Sequence, residues 1–380
     1  MNKKTKFKKI VFCTFSDLKS GNAGDAVNDL KLYNSISNKY KRIKISPEHT
    51  NKSGFKVKSL VKFIITYLKE NFGTNKLFIT RASKLAILPI LLRRLFKNKI
   101  VVRLGCGPLG FIEKQAFNRN NEYNTSKNIF KKIGDKIEYY LELFALKKAD
   151  KFIVENEKAK RIVIYYGADE KKIKIIPYFV EDFFLKGENP SYDKEKDYFK
   201  MGYTGRFKEY DLLIPVIEAI DLLVKEGYLI KLFLIGNGPT HSLLKNIVYK
   251  KGLSKNIIFL GSKSHIKVSK LIETYHCLIL PMLPKLSPST IAIKVLEGVM
   301  KGKIVITTNS GNNPSLFLKA TDLILNNSSA LDISEKIKII VQNYEKYRNI
   351  AENIKDYHIM NRSKGSVEKE IDRMLTDLII

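Results

Sequence analysis

Arg206, Lys208, Lys294 and Glu297 are the residues whose types and spacing could do chemistry in this chain. The first two stand in the segment YTGRFK, where Gly205, Arg206 and Lys208 follow the apolar run MGYT. A second segment, LIGNGP, sets Gly236, Asn237, Gly238 and Pro239 directly before a helical pattern. The third, SPSTIAIKVLEGVMKGKIVIT, covers 287–307 and reads as turn, helix and strand. Ser287, Pro288, Ser289 and Thr290 supply cap chemistry there, and Ile291, Ala292, Val295, Leu296, Val299 and Met300 make an apolar stripe that Gly302 ends. Lys294 and Glu297 interrupt that helix, and residues three apart share a face. Two cations, a glycine turn ahead of a helix and a helix start are what a diphosphate needs. Backbone amides and the helix dipole favour the anion, while Arg and Lys neutralise its charge. A glutamate beside them could accept ribose hydroxyls. The plainer alternative for Lys294 and Glu297 is an ion pair closing over the helix, worth at most about 1 kcal/mol if exposed.

These residues need a frame that brings successive strand ends to one edge. Strand candidates run through the first half at 8–15, 42–46, 76–80, 99–105, 151–155 and 173–178, with longer helical patterns between them. The stretch 181–198, EDFFLKGENPSYDKEKDY, is polar, carries Gly and Pro, and reads as a linker. Alternation then restarts with YFKMGYT, KLFLI, NIIFLG, CLILP and KIVITT. Such alternation means parallel sheets covered by helices on both faces. The expected fold is α/β: two doubly wound Rossmann-like domains facing a central cleft. The first spans 1–180, the linker 181–198 and the second 199–360, with a last helical segment over 361–380. Ligands in these sheets sit at the carboxyl ends of the strands.

Composition narrows the partners. The chain has 380 residues and a formal net charge of +30, unevenly spread. Residues 1–180 hold 39 Lys and Arg against 15 Asp and Glu, whereas the remainder holds 29 against 23. A lysine-rich bias would raise lysine everywhere, but it does not explain acids that balance it only in the second half. An anionic partner for the first half does. The cysteines, Cys13, Cys106 and Cys277, fit no metal or disulfide spacing and point to a reducing compartment. No apolar run approaches the roughly 18–20 residues of a membrane span.

The order YTGR, LIGNGP, NIIFLGS and KVLEGVMKGKIVIT, preceded by FALKKADKFIVENEKAK and GADEKKIKIIPYFVEDFF, resembles the GT-B fold, family-4-like retaining glycosyltransferases. The match covers most of residues 140–315. The resemblance implies a nucleotide-sugar donor domain at 199–360 and an acceptor-side domain at 1–180, with the C-terminal helix over 361–380 packing back on that first domain. It implies that Arg206 and Lys208 stabilise the leaving diphosphate. The implied donor-binding set is Gly205, Gly236, Gly238, Pro239, Ser262, Ser289, Thr290, Ile291, Lys294 and Glu297, with Glu297 on the ribose. Gly21 and Gly24 in SGNAGDA, and Gly105, Cys106 and Gly107 in GCGPLG, would form phosphate or acceptor loops. The sequence departs from the family pattern in three places. Many members carry a second glutamate eight residues before the first, where this chain has Ser289, and Lys294 resembles an alternative version. Only Phe207 separates Arg206 from Lys208. None of the five histidines, His49, His241, His265, His276 and His358, lies at the usual sugar-facing place in the first domain.

The chain contains no Asp-x-Asp, so Lys and Arg would stand where other transferases use a divalent metal. No metal and no cofactor are expected, the nucleotide-sugar being a co-substrate. A covalent route would need a carboxylate near the anomeric carbon, and none presents itself, so front-face attack assisted by the leaving phosphate is the expected retaining mechanism. The expected partners are the donor, a glycan or lipid-phosphate-linked acceptor, and an anionic membrane surface at the inner face of the plasma membrane, in the cytoplasm. The basic helical segments KVKSLVKFIITYLKENF and ASKLAILPILLRRLFKNK set Phe63, Ile64, Ile65, Tyr67, Leu91, Leu92 and Phe96 among cations. Two rivals from other classes stand beside this reading. One is a glycosyltransferase-like protein that binds without catalysis. The other is a basic nucleic-acid-binding protein, disfavoured because no RNA- or DNA-binding motif is present.

Overall fold

In a computed structural model, residues 9–14, 24–38, 40–46, 48, 57–81, 83–104, 129–283 and 290–379 are described. The chain forms two compact units, Met1–Tyr178 with Gly365–Ile380, and Phe179–Lys364. The first contains β1 (Lys9–Cys13), α1 (Gly24–Ser35), β2 (Arg42–Ile45), α2 (Val57–Asn71), β3 (Lys76–Thr80), α3 (Ser83–Phe96), β4 (Lys99–Arg103), α4 (Ile129–Lys148), β5 (Lys151–Val154), α5 (Glu157–Tyr165) and β6 (Ile173–Ile175). The second contains β7 (Phe199–Thr204), α6 (Leu213–Lys225), β8 (Ile230–Ile235), α7 (His241–Lys250), β9 (Ile257–Gly261), α8 (His265–Glu273), β10 (Cys277–Leu280), α9 (Ile293–Met300), β11 (Ile304–Thr308), β12 (Ile324–Leu325), α10 (Ala330–Gln342) and α11 (Tyr344–Arg362). A last helix, α12 (Lys364–Ile379), returns to the first unit, where Glu370 pairs with Lys174 at 2.5 Å.

Each unit is built on a six-stranded parallel sheet, ordered β2-β1-β3-β4-β5-β6 in the first and β12-β11-β10-β7-β8-β9 in the second. Strands covered on both faces are apolar throughout rather than alternating. Ile10 to Cys13, Leu77 to Ile79 and Ile100 to Val102 are accordingly all buried. On one face Phe63 of α2 and Leu85 of α3 pack together against Val11, Cys13 and Phe78. Farther along, Ala86 and Ile90 of α3 meet Ala145 and Leu146 of α4 and the following Ala149, and the alanines let the two helices approach closely. Phe63, read from the sequence as part of a membrane-facing group, is a core residue, and Tyr67 donates its hydroxyl to Leu85 O at 2.7 Å. No described helix is long and apolar enough to cross a membrane.

The stretch 181–198 is polar for a reason other than being a linker. It belongs to the second unit and is held there through its backbone. Lys301 and Ser269, both buried, donate to Phe183 O at 3.0 and 2.7 Å, Tyr344 donates to Pro190 O, and His276 Nε2 meets Ser191 O at 3.2 Å. Asn189 reaches Gly302 O at 2.7 Å.

Candidate functional site

In the second sheet β7 is the first strand in sequence but lies centrally. The chain runs outward through β8 and β9, then crosses to β10 on the other side of β7. The connections therefore part at the β7–β10 boundary, the topological switch point, where ligands of such sheets bind beyond the strand ends. The loops after β7, β8 and β9 open at this edge.

The first two loops are welded by backbone contacts. Gly205 N–H donates to Ile235 O at 3.0 Å, Phe207 N–H to Asn237 O at 3.1 Å, and Gly236 N–H to Gly261 O at 3.0 Å. Gly236 adopts φ 139°, and a Cβ there would fall 1.8 Å from Gly205 O. A Cβ on Gly238 would fall 2.3 Å from Phe207 O. Only glycine permits these approaches. Phe207, which separates Arg206 from Lys208, is fully buried and stacks on His241 at 5.8 Å. This anchor turns its two basic neighbours outward: Arg206 is exposed and Lys208 half-buried.

The next three residues hold a group the sequence reading passed over. Asp211 is buried, its Oδ1 2.5 Å from Lys294 Nζ, and its Oδ2 accepts from Lys208 N–H at 3.3 Å. Leu212, which follows, takes a left-handed conformation at φ 49° as the chain turns into α6. Lys294 also donates to Tyr203 OH at 3.0 Å and lies over that ring at 4.6 Å. A Cβ on Gly205 would sit 3.4 Å from its ammonium. Burial lowers the Lys294 pKa, Asp211 opposes that shift, and Lys208 adds to it; the balance lies below an ordinary lysine.

Lys294 and Glu297 thus do not pair with each other across the helix. Glu297, also buried, faces α8 instead, its Oε1 3.6 Å from Nδ1 of the half-exposed His265. The expected cap is corrected as well. Helix α9 begins at Ile293, Ala292 takes the N-cap conformation, and Asn313 Oδ1 accepts the Ala292 N–H at 2.8 Å. Thr290 is held by its carbonyl, which accepts from Asn312 N–H at 2.7 Å. Its hydroxyl oxygen is buried with no hydrogen-bond partner among the described residues. Ile291 is buried beside it.

Of the expected donor set, the structure gathers Gly205, Gly236, Gly238 and Lys294 into one cluster, together with Lys208 of the expected diphosphate-stabilising pair. Glu297 lies next to the β9–α8 loop, where Ser262 is exposed. Pro239 follows the glycine turn into α7, and Arg206 is exposed at the rim of the β7 loop. Ser289 lies outside the described residues. Asp211, Tyr203 and His265 were missed. Only Asp211 left a local signal, a carboxylate three residues after Lys208 at a turn into a helix.

In the first unit, Gly21, Gly105, Cys106 and Gly107 lie outside the described residues, and Gly24 opens α1. The strand ends leading toward those loops carry their own charge cluster. Asp29 of α1 is fully buried; it accepts from Arg103 at 2.7 Å, Arg81 at 3.3 Å and Thr14 at 2.6 Å. These partners come from the ends of β4, β3 and β1, the corresponding edge of this sheet, so two guanidinium groups share one carboxylate there.

Comparison with known proteins bears on the family and the fold. Residues 186–357 match the family model "Glycosyl transferases group 1". No curated protein matches the sequence. Among solved structures, HepE from Anabaena in complex with UDP has a TM-score of 0.70 at 13% identity, with 97% of this chain and 100% of that chain covered. Sucrose-phosphate synthase from Thermosynechococcus elongatus gives 0.72 at 13% identity, covering 97% and 98%. The lipopolysaccharide outer core galactosyltransferase WaaB gives 0.63 at 11% identity, covering 97% and 99%. At such identities these likenesses establish a shared fold of two Rossmann-like domains.

Proposed function

Starting from a chain of the GT-B fold whose residues 186–357 match the group 1 glycosyl transferase family, we propose that it moves a hexose from a nucleotide-sugar to a glycan or lipid-phosphate-linked acceptor, with retention and without a metal. The observation that carries this reading is the convergence at the switch point of the second sheet. A glycine-locked double loop, the cations Lys208 and Lys294, and the buried carboxylate of Glu297 meet at one edge. Arg206 and Lys208 neutralise the diphosphate as the sugar–phosphate bond breaks, the role a metal fills elsewhere. Lys294 sits beside Gly205, within reach of the same phosphates or the sugar, and Glu297 accepts the ribose hydroxyls. Thr290, with its buried hydroxyl, offers a further contact to the donor.

HepE is solved with UDP and with UDP-glucose, which makes UDP-sugars the first donors to try. The paired guanidinium groups on Asp29 and the excess of cations in residues 1–180 favour an acceptor carrying phosphate. We place the reaction in the cytoplasm at the inner surface of the plasma membrane. The test is thermal stabilisation of the full chain by UDP-, GDP-, ADP- and CMP-sugars without added metal. One donor should raise the melting temperature, and Glu297→Ala should abolish that rise with the fold intact. No stabilisation by any donor would sink the proposal. Stabilisation without turnover on any phosphate-linked acceptor would favour the non-catalytic alternative.

A further inference from the structure

Helix α2 exposes an apolar face that no other described element of its own unit covers. Val57, Val61, Ile64, Ile65, Leu68 and the following Phe72 are all exposed, from 42% for Leu68 to 75% for Val57. Their spacing of four, three, one, three and four residues places them along one side of a helix. The opposite side carries Phe63 and Tyr67, stacked on each other and turned to the sheet. The exposed face continues onto α3. Phe72 meets Phe96 with ring centroids 6.0 Å apart, both helices cover the same sheet face, and Leu91 and Leu95 are 62% and 72% exposed. Exposed apolar residues of the second unit are spread over many elements, whereas here six fall within sixteen positions. Contiguous patches of this kind mark interaction surfaces.

Charge identifies what lies on it. Lys58, Lys62 and Lys69 are exposed on α2 among the apolar residues, and Arg94 is exposed beside Leu95 on α3. The sole carboxylate of α2 is Glu70, which is buried and paired with Lys9 at 3.0 Å and Lys76 at 2.8 Å; α3 has none. The outward surface of the two helices is therefore apolar and cationic, with no acidic residue to oppose an anionic partner. A protein partner would be matched by mixed polarity. An aliphatic and aromatic stripe edged by lysines fits a layer of anionic headgroups over hydrocarbon.

We propose that the outer face of α2, continued by α3, docks the first unit onto an anionic lipid bilayer. This rests on the membrane setting proposed above and is independent of the donor site. The test is co-sedimentation of the full chain with vesicles of phosphatidylcholine alone or with phosphatidylglycerol added. Wild type should bind the anionic vesicles, weaken with added salt, and leave the neutral ones largely unbound. Lys58→Gln, Lys62→Gln and Lys69→Gln together should lower binding on the order of 100-fold, at about fivefold for each lysine. Ile65→Ser, Leu68→Ser and Phe72→Ser together should lower it at least about tenfold. These positions are exposed, and the melting temperature reports the fold of each variant. Failure of the wild type to bind anionic vesicles overturns the proposal, as does unchanged binding by either triple variant. A dimer in sedimentation velocity that the serine variant converts to monomer, without vesicle binding, would assign the face to a second copy of the chain and overturn it too. Donor-induced stabilisation measured on the same samples separates the two readings. Lost docking with intact stabilisation refutes the lipid face alone, and the reverse refutes the donor site alone.

Discussion

Asp211→Asn tests the arrangement at its least expected point. The carboxylate is 3% exposed and lies 2.5 Å from Lys294 Nζ, so the substitution keeps an amide oxygen for the ammonium but leaves its buried charge without a counter-charge among the described contacts. Breaking a buried ion pair by removing one partner costs about 3–5 kcal/mol, because the surviving charge is uncompensated. For a unit of this size that is a drop in melting temperature on the order of 10 °C. Lys294→Met should cost a similar amount, since it strands Asp211. With both substitutions no charge is left unpaired, and the double variant should be more stable than the sum of the singles by about 2–3 kcal/mol. Scanning calorimetry of the full chain and the three variants gives the cycle. Donor binding adds a second readout. Asp211 competes with the diphosphate for Lys294, so Asp211→Asn should retain donor-induced stabilisation, whereas Lys294→Met should lose it. Additivity of the two single costs within about 0.5 kcal/mol would refute the pairing. Retained donor stabilisation in Lys294→Met would refute the role given to the lysine.

Gly238→Ala sets a Cβ 2.3 Å from Phe207 O and 2.6 Å from Phe207 N, against backbone that cannot yield without opening the double loop. It should lower stability by about 1–3 kcal/mol and abolish donor stabilisation, while Gly365→Ala, which meets open space, should leave both unchanged; thermal shift with and without donor checks this. Lys303 is 2% exposed, and burial with the nearby Lys301 pushes its pKa down to about 7. Between that value and its unfolded value the unfolded chain binds the extra proton, so stability should rise with pH from about 7 toward 9, by at most about 2 kcal/mol. Lys303→Met should flatten that rise in a pH series of melting temperatures.

The sheets were legible because strands buried on both faces must be apolar throughout, as in KIVFC and KLFLI, and each is closed by a turn signal. The donor loops were legible because glycine at Gly236 and Gly238 meets a backbone requirement that no other residue meets. What stayed hidden depends on distance along the chain. Lys294 finds Asp211 and Tyr203 at separations of 83 and 91 residues, and periodicity carries no information about such pairs. The stretch 181–198 looked like a linker because its side chains are polar, yet its attachment runs through carbonyls at Phe183, Pro190 and Ser191, which sequence cannot display. The cap of α9 was misplaced for the same reason: Asn313 supplies the acceptor from 21 residues away, so the Ser and Thr run before the helix was not needed. β12, two residues long, carries too little pattern to be seen.

The return of α12 to the first unit has a bearing on how the protein is made. Its apolar residues Val367, Ile371 and Leu375 are buried, and Glu370 bonds to Lys174. During synthesis from the amino end, residues of the second unit emerge as one uninterrupted stretch, 179–364, and can complete their sheet as they leave the ribosome. The first unit, though translated earlier, waits for the final helix before its apolar surface is closed. The half made first is thus the half finished last, and in that interval the basic, apolar flank of α2 and α3 belongs to an incomplete domain.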